Sequence, residues 1–185
     1  MPDTEQDISG RIAGLRKARN WRLEELAEKS GVSRATLSRI ERGDTSPTAV
    51  VLGQLARAFG ITMADLFGFG APVGDARIAR ADQPLWEDPE TGFRRRSVSP
   101  ASGGFRGSVV EGELPPGATI SYSVPPLPDL EHHLVLLEGK LVMTIGDMRH
   151  DLLPGDCLRF RLNAPNAYHA PGPNPARYLL TVITS

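Results

Sequence analysis

Two adjacent histidines, His132 and His133, lie in the apolar run EHHLVLLEGK at residues 131–140. Imidazole binds zinc, copper, iron and nickel, and a catalytic metal site uses about three protein ligands and one open position. Successive residues of a strand point to opposite faces of a sheet, so this run presents only one imidazole to a given site. Whether a metal is held here therefore depends on ligands from other segments.

A second segment, LEELAEKSGVSRATLSRIERG at residues 23–43, carries side chains suited to nucleic acid. Val32, Leu37 and Ile40 recur at helical spacing and predict a buried side. Ser33 is placed to cap the following helix, whose first backbone N–H groups are free to bind a phosphate. The outward side chains of that helix are of the types that contact base edges and phosphates: Arg34, Ala35, Thr36, Ser38 and Arg39.

Positive charge is concentrated around this segment, although the whole chain has a formal net charge of only −1. Residues 11–42 contain nine Lys or Arg and four Glu, a local excess of five positive charges. A local basic patch indicates a nucleic-acid partner better than the total charge does. The alternative is the solvated basic face of a helical bundle. The run 94–96, three arginines, is either a second DNA contact or a solvated turn or edge strand.

The elements that must position these residues differ between the two parts of the chain. Helical spacing from Ile8 to Phe67 predicts five short helices in a compact bundle. Their ends are marked by capping residues and glycines: Gly31, Ser33, Gly43, Ser46 with Pro47 at the start of the fourth helix, Gly60, and Thr62 with Asp65.

From Gly68 the composition shifts to Gly, Pro and Asp, which predicts a linker over residues 68–77. Short apolar runs separated by turns then predict strands in an antiparallel sandwich or barrel. The runs are RGSVVEGEL, GATISYSV, HLVLLEGKLVMTIGD, DCLRFRL and ARYLLTVIT. The chain thus divides into residues 1–67, a linker over 68–77, and residues 78–185.

The composition also bounds the cellular setting. One cysteine, Cys157, excludes an internal disulfide and is expected to be a small buried residue. No segment approaches the ~20 apolar residues of a membrane span. The first residues, MPDTEQDISG, are acidic and polar and do not read as a signal peptide. A cytoplasmic protein is expected.

The segment at residues 23–43, with its flanking helices, resembles the helix-turn-helix of the XRE and phage lambda repressor family over residues 8–67. The resemblance implies an all-α, five-helix DNA-binding domain whose third helix reads the major groove of operator DNA, and it implies homodimers. It also implies that Glu41 pairs with Arg16. Leu23 departs from the family, which usually has glutamine at that position.

The second part resembles the cupin barrel, an all-β double-stranded β-helix or jelly roll, over residues 78–185. The matching stretches are LLEGKLVMTIGD, LLPGDCLRFRL and APNAYHAPGPNPARYLL. The two parts together resemble XRE regulators that carry a C-terminal cupin sensor. This implies a sequence-specific transcriptional regulator with a cupin domain that binds a small-molecule effector.

The metal ligands of metal-binding cupins are replaced in this sequence. The family's pattern has two histidines, a glutamate and a later histidine; here His132 stands at the glutamate position and Asn166 at the last histidine. The histidine pair is absent whether its position is counted forward from Gly117 or back across the proline-rich loop VPPLPDL. We therefore expect no metal and no cofactor. A different constellation of Glu131, His132 and His169 is left open by the sequence.

A barrel without metal ligands still encloses a cavity that can hold one small ligand. Strand alternation predicts that Tyr122, His132, Asn166 and Tyr168 face inward, and Arg159 joins them in the expected effector-binding set if its strand turns it inward. The sequence leaves open whether Arg159 and Arg161 point inward, where they would bind a carboxylate or phosphate, or form an exposed strand face. Tyr122 and Tyr168 fit equally well as half-buried sheet residues with no role in ligand binding.

These inferences favour a one-component regulator that is not an enzyme. The chief alternative is a metal-dependent cupin enzyme fused to a helix-turn-helix domain, like hydroxypropylphosphonate epoxidase, whose chemistry needs two histidines and one carboxylate around iron. A third hypothesis is an antitoxin-like interaction protein, which would have a protein partner and no small-molecule pocket.

Overall fold

The computed structural model describes residues 4–67, 77–100 and 105–184. Its first part consists of α1 (Thr4–Ala18), α2 (Leu23–Ser30), α3 (Arg34–Glu41), α4 (Ala49–Phe59) and α5 (Met63–Leu66). The predicted five-helix domain is confirmed. Most of the predicted linker, residues 68–76, lies outside the described residues. No helix in the described ranges combines the length and the apolar content needed to cross a bilayer.

Most of the predicted helix ends agree with the structure, but the start of α4 does not. Gly31 and Gly60 take left-handed conformations after α2 and α4. Thr62 and Asp65 form the expected capping box of α5. The prediction that Ser46 and Pro47 open α4 is wrong, because Thr48 is the cap: its hydroxyl accepts the backbone N–H of Val51 at 3.3 Å.

The second part consists of short antiparallel strands in two sheets. Within the described residues these are β1 (Leu85–Glu87), β2 (Arg94–Ser99), β3 (Gly107–Leu114), β4 (Thr119–Tyr122), β5 (Leu130–Glu138), β6 (Leu141–Ile145), β7 (Met148–Leu152), β8 (Cys157–Leu162), β9 (Asn166–His169) and β10 (Ala176–Ile183). The larger sheet has the order β1-β2-β3-β10-β5-β8, and the smaller has the order β4-β9-β6-β7. The predicted all-β cupin barrel is confirmed.

Strand alternation sets which side chains enter the barrel. Along β5 the buried positions are Leu130, His132, Leu134 and Leu136, and the residues between them are more exposed. In β8 the apolar residues from Leu158 to Leu162 face inward. Cys157 is therefore exposed on the outer face of β8, and the expectation that it is buried is wrong.

The helices pack directly against the barrel. Trp86 of β1 is 2% exposed, and its ring centroid lies 5.8 Å from that of Phe67, the residue that follows α5. The Asp88 carboxylate accepts the first backbone N–H of α4, from Ala49, at 2.5 Å. One continuous apolar core joins helical and barrel residues. Helices α4 and α5 therefore form part of the surroundings of the barrel interior.

Candidate nucleic-acid interface and interdomain cavity

Helix α3 is held in place by its buried side. Leu37 and Ile40 are 0% and 1% exposed and belong to the common core. Arg16 of α1 donates two hydrogen bonds of 2.7 Å to the Glu41 carboxylate, and these raise the pKa of Arg16. Arg16 also donates to the carbonyl of Trp21 at 2.8 Å. The pair expected from the family resemblance is thus present and fixes the C-terminal end of α3.

The opposite side of α3 faces solvent. Arg34, Ala35 and Arg39 are exposed, and Thr36 and Ser38 are half-buried. Ser33 caps the helix, since its hydroxyl accepts the backbone N–H of Thr36 at 3.1 Å. The structure therefore brings all six residues predicted for DNA contact to one exposed region.

The polar groups of this region differ in how they are already bonded. The Ser38 hydroxyl accepts a hydrogen bond of 2.7 Å from Arg42, whose guanidinium also binds Asp44. Arg34 lies 2.5 Å from the Glu24 carboxylate of α2, and both side chains are more than half exposed. Arg39 forms no ion pair with any of the described residues. Of these groups, its guanidinium is the most available to bind a phosphate or a base.

A cavity of about 90 Å³ lies in the barrel where the barrel meets α4 and α5. Four of the residues predicted to bind an effector line it: Tyr122, His132, Asn166 and Tyr168. Its wall on the helical side consists of Gly53 of α4 and the residues around α5, namely Thr62, Met63 and Ala64. The sequence did not predict this helical contribution.

The fifth predicted residue, Arg159, does not reach the cavity. It is exposed on the outer face of β8, as is Arg161, whose guanidinium lies 3.7 Å from Glu131. The reason is the register of β8: Phe160 and Leu162 take the inward positions, which leaves the odd-numbered residues outside. Arg159 therefore does not belong to the effector-binding set.

The alternative constellation of Glu131, His132 and His169 is not assembled. Glu131 points away from the barrel interior and binds His133 at 2.8 Å. His169 contacts the Thr119 hydroxyl at 2.8 Å on the other sheet. Within residues 4–67, 77–100 and 105–184, no three His, Cys, Asp or Glu side chains come together as a metal site would need. The absence of a metal in the protein stays a prediction.

The titratable groups inside the cavity are neutral at pH 7, with one exception. Burial lowers the pKa of His132 to about 4, with a smaller contribution from the charge of His133. Burial raises the pKa of Tyr122 to about 12 and also raises those of Tyr168 and Tyr178. The imidazole and the three phenols therefore carry no charge. The exception is an arginine.

That residue, Arg95, is 6% exposed and lines the cavity. Burial lowers its pKa to about 10, so the guanidinium stays charged at pH 7. The prediction that the run 94–96 is a second DNA contact, a solvated turn or an edge strand is wrong for its central member, because β2 lies between β1 and β3 and turns alternate residues inward. The signal was present in the alternation Phe93, Arg95, Ser97, all of which are buried.

A larger groove of about 420 Å³ runs along the outside of this cavity, between α4 and the smaller sheet. Gln54 and Arg57 line it on the helical side, and Ser121 lines it on the barrel side. Four residues line both the groove and the cavity: Gly53, Tyr122, Val124 and Asn166. These residues therefore lie between the barrel interior and the groove.

Comparison with known proteins identifies the helical part of the chain and finds a relative that matches nearly its whole length. A helix-turn-helix family model matches residues 12–66. The chain is 26% identical over 180 residues to the HTH-type transcriptional regulator SutR of Escherichia coli strain K12, covering 93% of this chain and 92% of that protein. It is 38% identical over 60 residues to an uncharacterized HTH-type transcriptional regulator of Methanocaldococcus jannaschii, covering 32% of this chain and 91% of that protein.

Two solved structures share the fold. An HTH_3 family transcriptional regulator from Vibrio cholerae matches with a TM-score of 0.78 at 22% identity, over 98% of this chain and 97% of that chain. The Fe(II) form of HppE matches with a TM-score of 0.51 at 16% identity, over 97% of this chain and all (100%) of that chain. Helices followed by a cupin barrel are therefore an arrangement found in other proteins.

Proposed function

The chain belongs to the XRE-type helix-turn-helix family of transcriptional regulators, and we propose that it is a one-component regulator whose barrel binds a small-molecule effector. In this proposal residues 1–67 bind DNA, residues 68–77 form the linker between the two domains, and residues 78–185 bind the effector. The observation that supports the effector role most directly is the cavity of about 90 Å³ that α4 and α5 help to enclose.

The proposed DNA contacts are made by the exposed side of α3. Arg39 and Arg34 would bind phosphates or guanine edges, and Thr36 and Ser38 are short enough for the backbone to approach the groove. Ser33 and Ala35 complete the contact at the start of the helix. What supports this assignment is the contrast between the two sides of α3, one fixed in the core and one exposed and basic.

We further propose that the protein acts as a homodimer in the cytoplasm, where operator DNA is. Two copies of α3 would then read half-sites about one helical turn, ~34 Å, apart. An effector that binds one arrangement of the helices better than another would shift the dimer toward that arrangement, and operator affinity would change with it. The effector-binding residues in this proposal are Tyr122, His132, Asn166 and Tyr168.

The test is selection of genomic DNA fragments by the purified full chain, followed by footprinting of the selected sites. We expect a protected site with two half-sites on one face of the duplex, bound more tightly than random DNA at physiological salt. Binding that never exceeds that of random DNA at any salt concentration would contradict the proposal.

The alternative of a cupin metalloenzyme is supported by the fold shared with Fe(II) HppE. A non-haem iron site of the usual kind needs two histidines and one carboxylate on one face. Among the described residues that line the cavity, His132 is the single histidine and no carboxylate is present. Stoichiometric iron in protein from iron-supplemented cells, lost in His132→Ala, would favour the enzyme. The antitoxin-like alternative does not account for the cavity.

A further inference from the structure

Arg95 differs from the arginines on either side of it in lacking a counter-ion. Arg94 lies 3.7 Å from Glu113, and Arg96 lies 3.6 Å from Glu111, both on the outer face of the sheet. Arg95 points inward and forms no ion pair with any described carboxylate. A buried charge without a partner is strongly unfavourable in a folded protein.

The contacts that Arg95 does make are weak substitutes for an anion. Its guanidinium carbon lies 4.4 Å from the ring centroid of Phe67, and one nitrogen donates to the Ser97 hydroxyl at 3.3 Å. The buried carboxylate of Asp88, which directly follows β1, already has partners: it accepts backbone N–H groups from Ala49, Glu90 and Thr91 at 2.5, 2.8 and 2.9 Å. The positive charge in the cavity is left unbalanced.

Two further polar atoms in the same cavity have no hydrogen-bond partner among the described residues. They are Nδ1 of His132 and the side-chain nitrogen Nδ2 of Asn166. Both residues are more than nine-tenths buried, with 6% and 5% exposure. Native proteins rarely leave buried polar atoms unsatisfied, so these two atoms, in the same cavity as the unpaired charge of Arg95, indicate a polar ligand.

We propose that the cavity binds a small monocarboxylate, with Arg95 as its counter-ion and Asn166 and His132 as hydrogen-bond partners. This inference rests on the proposed effector function and names the chemical class of the effector. A guanidinium binds a carboxylate through two parallel hydrogen bonds. One positive charge in an otherwise neutral cavity balances one negative charge, which favours a monocarboxylate over a phosphate dianion.

The size and lining of the cavity limit the rest of the ligand. Its volume of about 90 Å³ is smaller than the ~150 Å³ cavity that accommodates benzene. The remaining wall includes Val110, Ile120 and Val182, which offer no hydrogen-bonding side chains. A short aliphatic tail fits this wall, so the candidates are acids of the size of acetate, propionate and butyrate.

The position of the site also connects it to the DNA-binding helices. Tyr122 packs so closely on α4 that a β-carbon at Gly53 would lie 2.9 Å from its ring. Tyr122 stands edge-on to Tyr168, with ring centroids 6.4 Å apart, and Tyr168 stacks on Tyr178 at 5.7 Å. A ligand that moves these rings therefore pushes directly on α4, which shares its core with α3.

The test is isothermal titration and thermal unfolding of the full chain with acetate, propionate and butyrate at pH 7, and with propionamide as a neutral isostere. We expect at least one acid to bind and to raise the melting temperature, and propionamide to bind about tenfold or more weakly. Equal binding of acid and amide, or binding by none of the three acids, would overturn the proposal.

The decisive variant is Arg95→Met, with Arg94→Met as the matched control on the same strand. Arg95→Met is expected to abolish acid binding and to raise the melting temperature of the ligand-free protein, since it removes an unbalanced buried charge. Arg94→Met should keep acid binding. If Arg95→Met does not fold, Arg95→Lys should fold and bind the acid more weakly; unchanged affinity in either variant would contradict the role of Arg95.

DNA footprinting of the same preparations separates this inference from the proposed function. Operator binding without any acid binding overturns the monocarboxylate site and leaves the regulator intact. Acid binding that depends on Arg95 but never alters a footprint supports the site and contradicts the effector role.

Discussion

Arginines occupy two opposite environments in this protein, the exposed side of α3 and the interior of the barrel. Arg34 and Arg39 lie in solvent, where a charge costs little and where salt screens it. Arg95 lies in an apolar cavity, where burial lowers its pKa to about 10 and the charge lacks a partner. The two environments suit different anions: an extended polyanion outside and one small anion inside.

In the proposed functions, one residue type would serve two kinds of recognition. Outside, affinity is spread over several weak contacts that release counterions, so it depends strongly on salt. Inside, a single contact is strong because water is excluded, and it depends on the shape of the cavity.

The largest effect is expected from a buried arginine that does have a partner. The side chains of Arg16 and Glu41 are 14% and 10% exposed and form a bidentate salt bridge. Arg16→Met should destabilise the protein by about 3 kcal/mol, because it leaves the Glu41 carboxylate buried and unpaired. Denaturant unfolding measures this. If Arg95→Met destabilises the protein as much as Arg16→Met does, Arg95 is not an unpaired charge in the sense argued above.

Acid should place a second positive charge in the cavity. The pKa of His132 falls from its ordinary 6.5 to about 4 on folding, so the unfolded chain binds the proton more readily. The resulting stability is present above pH 6.5 and is lost as pH falls toward 4, by up to about 3 kcal/mol.

In His132→Gln this part of the pH dependence should disappear, whereas in His150→Gln, whose side chain does not line the cavity, it should remain. Unfolding measured between pH 7 and pH 4 gives the comparison. Parallel curves for the wild type and His132→Gln would contradict the assignment.

On the exposed side, Arg39→Ala should weaken operator binding by about 1–3 kcal/mol if the guanidinium contacts a base. Equal losses on operator and random DNA, with a smaller salt dependence, would identify a phosphate contact instead. Arg159→Ala, an exposed arginine on the barrel, is the control and should leave DNA affinity unchanged. Loss of DNA binding in the control would indicate that DNA contacts the barrel and not only α3.

The smallest effect concerns the contact between α4 and the barrel. Gly14→Ala in α1, where a β-carbon meets nothing within 4 Å, should stabilise the protein by about 1 kcal/mol. Gly53→Ala should not, because its β-carbon would displace Tyr122. Equal gains in melting temperature for the two variants would mean that Tyr122 moves aside freely and does not couple the cavity to α4.

The helical part could be predicted closely because its signals are local. Glycine caps, serine caps and a 3.6-residue repeat act within a few residues. At the start of α4, Ser46 and Thr48 both have side chains that can cap a helix, and the structure uses Thr48. The barrel could be predicted as a fold from its order of hairpins. Its polar strands could not: β2 reads RRRSVS and β7 reads MRHDL, with no apolar run.

The candidate site could be predicted in part. Period-two alternation placed Tyr122, His132, Asn166 and Tyr168 around the cavity. It could not decide which face of a strand is inward when both faces carry arginine or apolar residues, so the direction of Arg159 stayed open and the inward position of Arg95 was not predicted. The helical wall of the cavity depends on packing between segments far apart in sequence, which no local pattern encodes.

We propose that a ligand bound to Arg95 changes the affinity of α3 for DNA. The direct test is the operator affinity of the full chain, by fluorescence anisotropy, with and without a saturating concentration of the acid that binds. A change of roughly fivefold to 150-fold in the wild type, absent in Arg95→Met, is the predicted result. Identical operator affinity in the presence and absence of bound acid would contradict it.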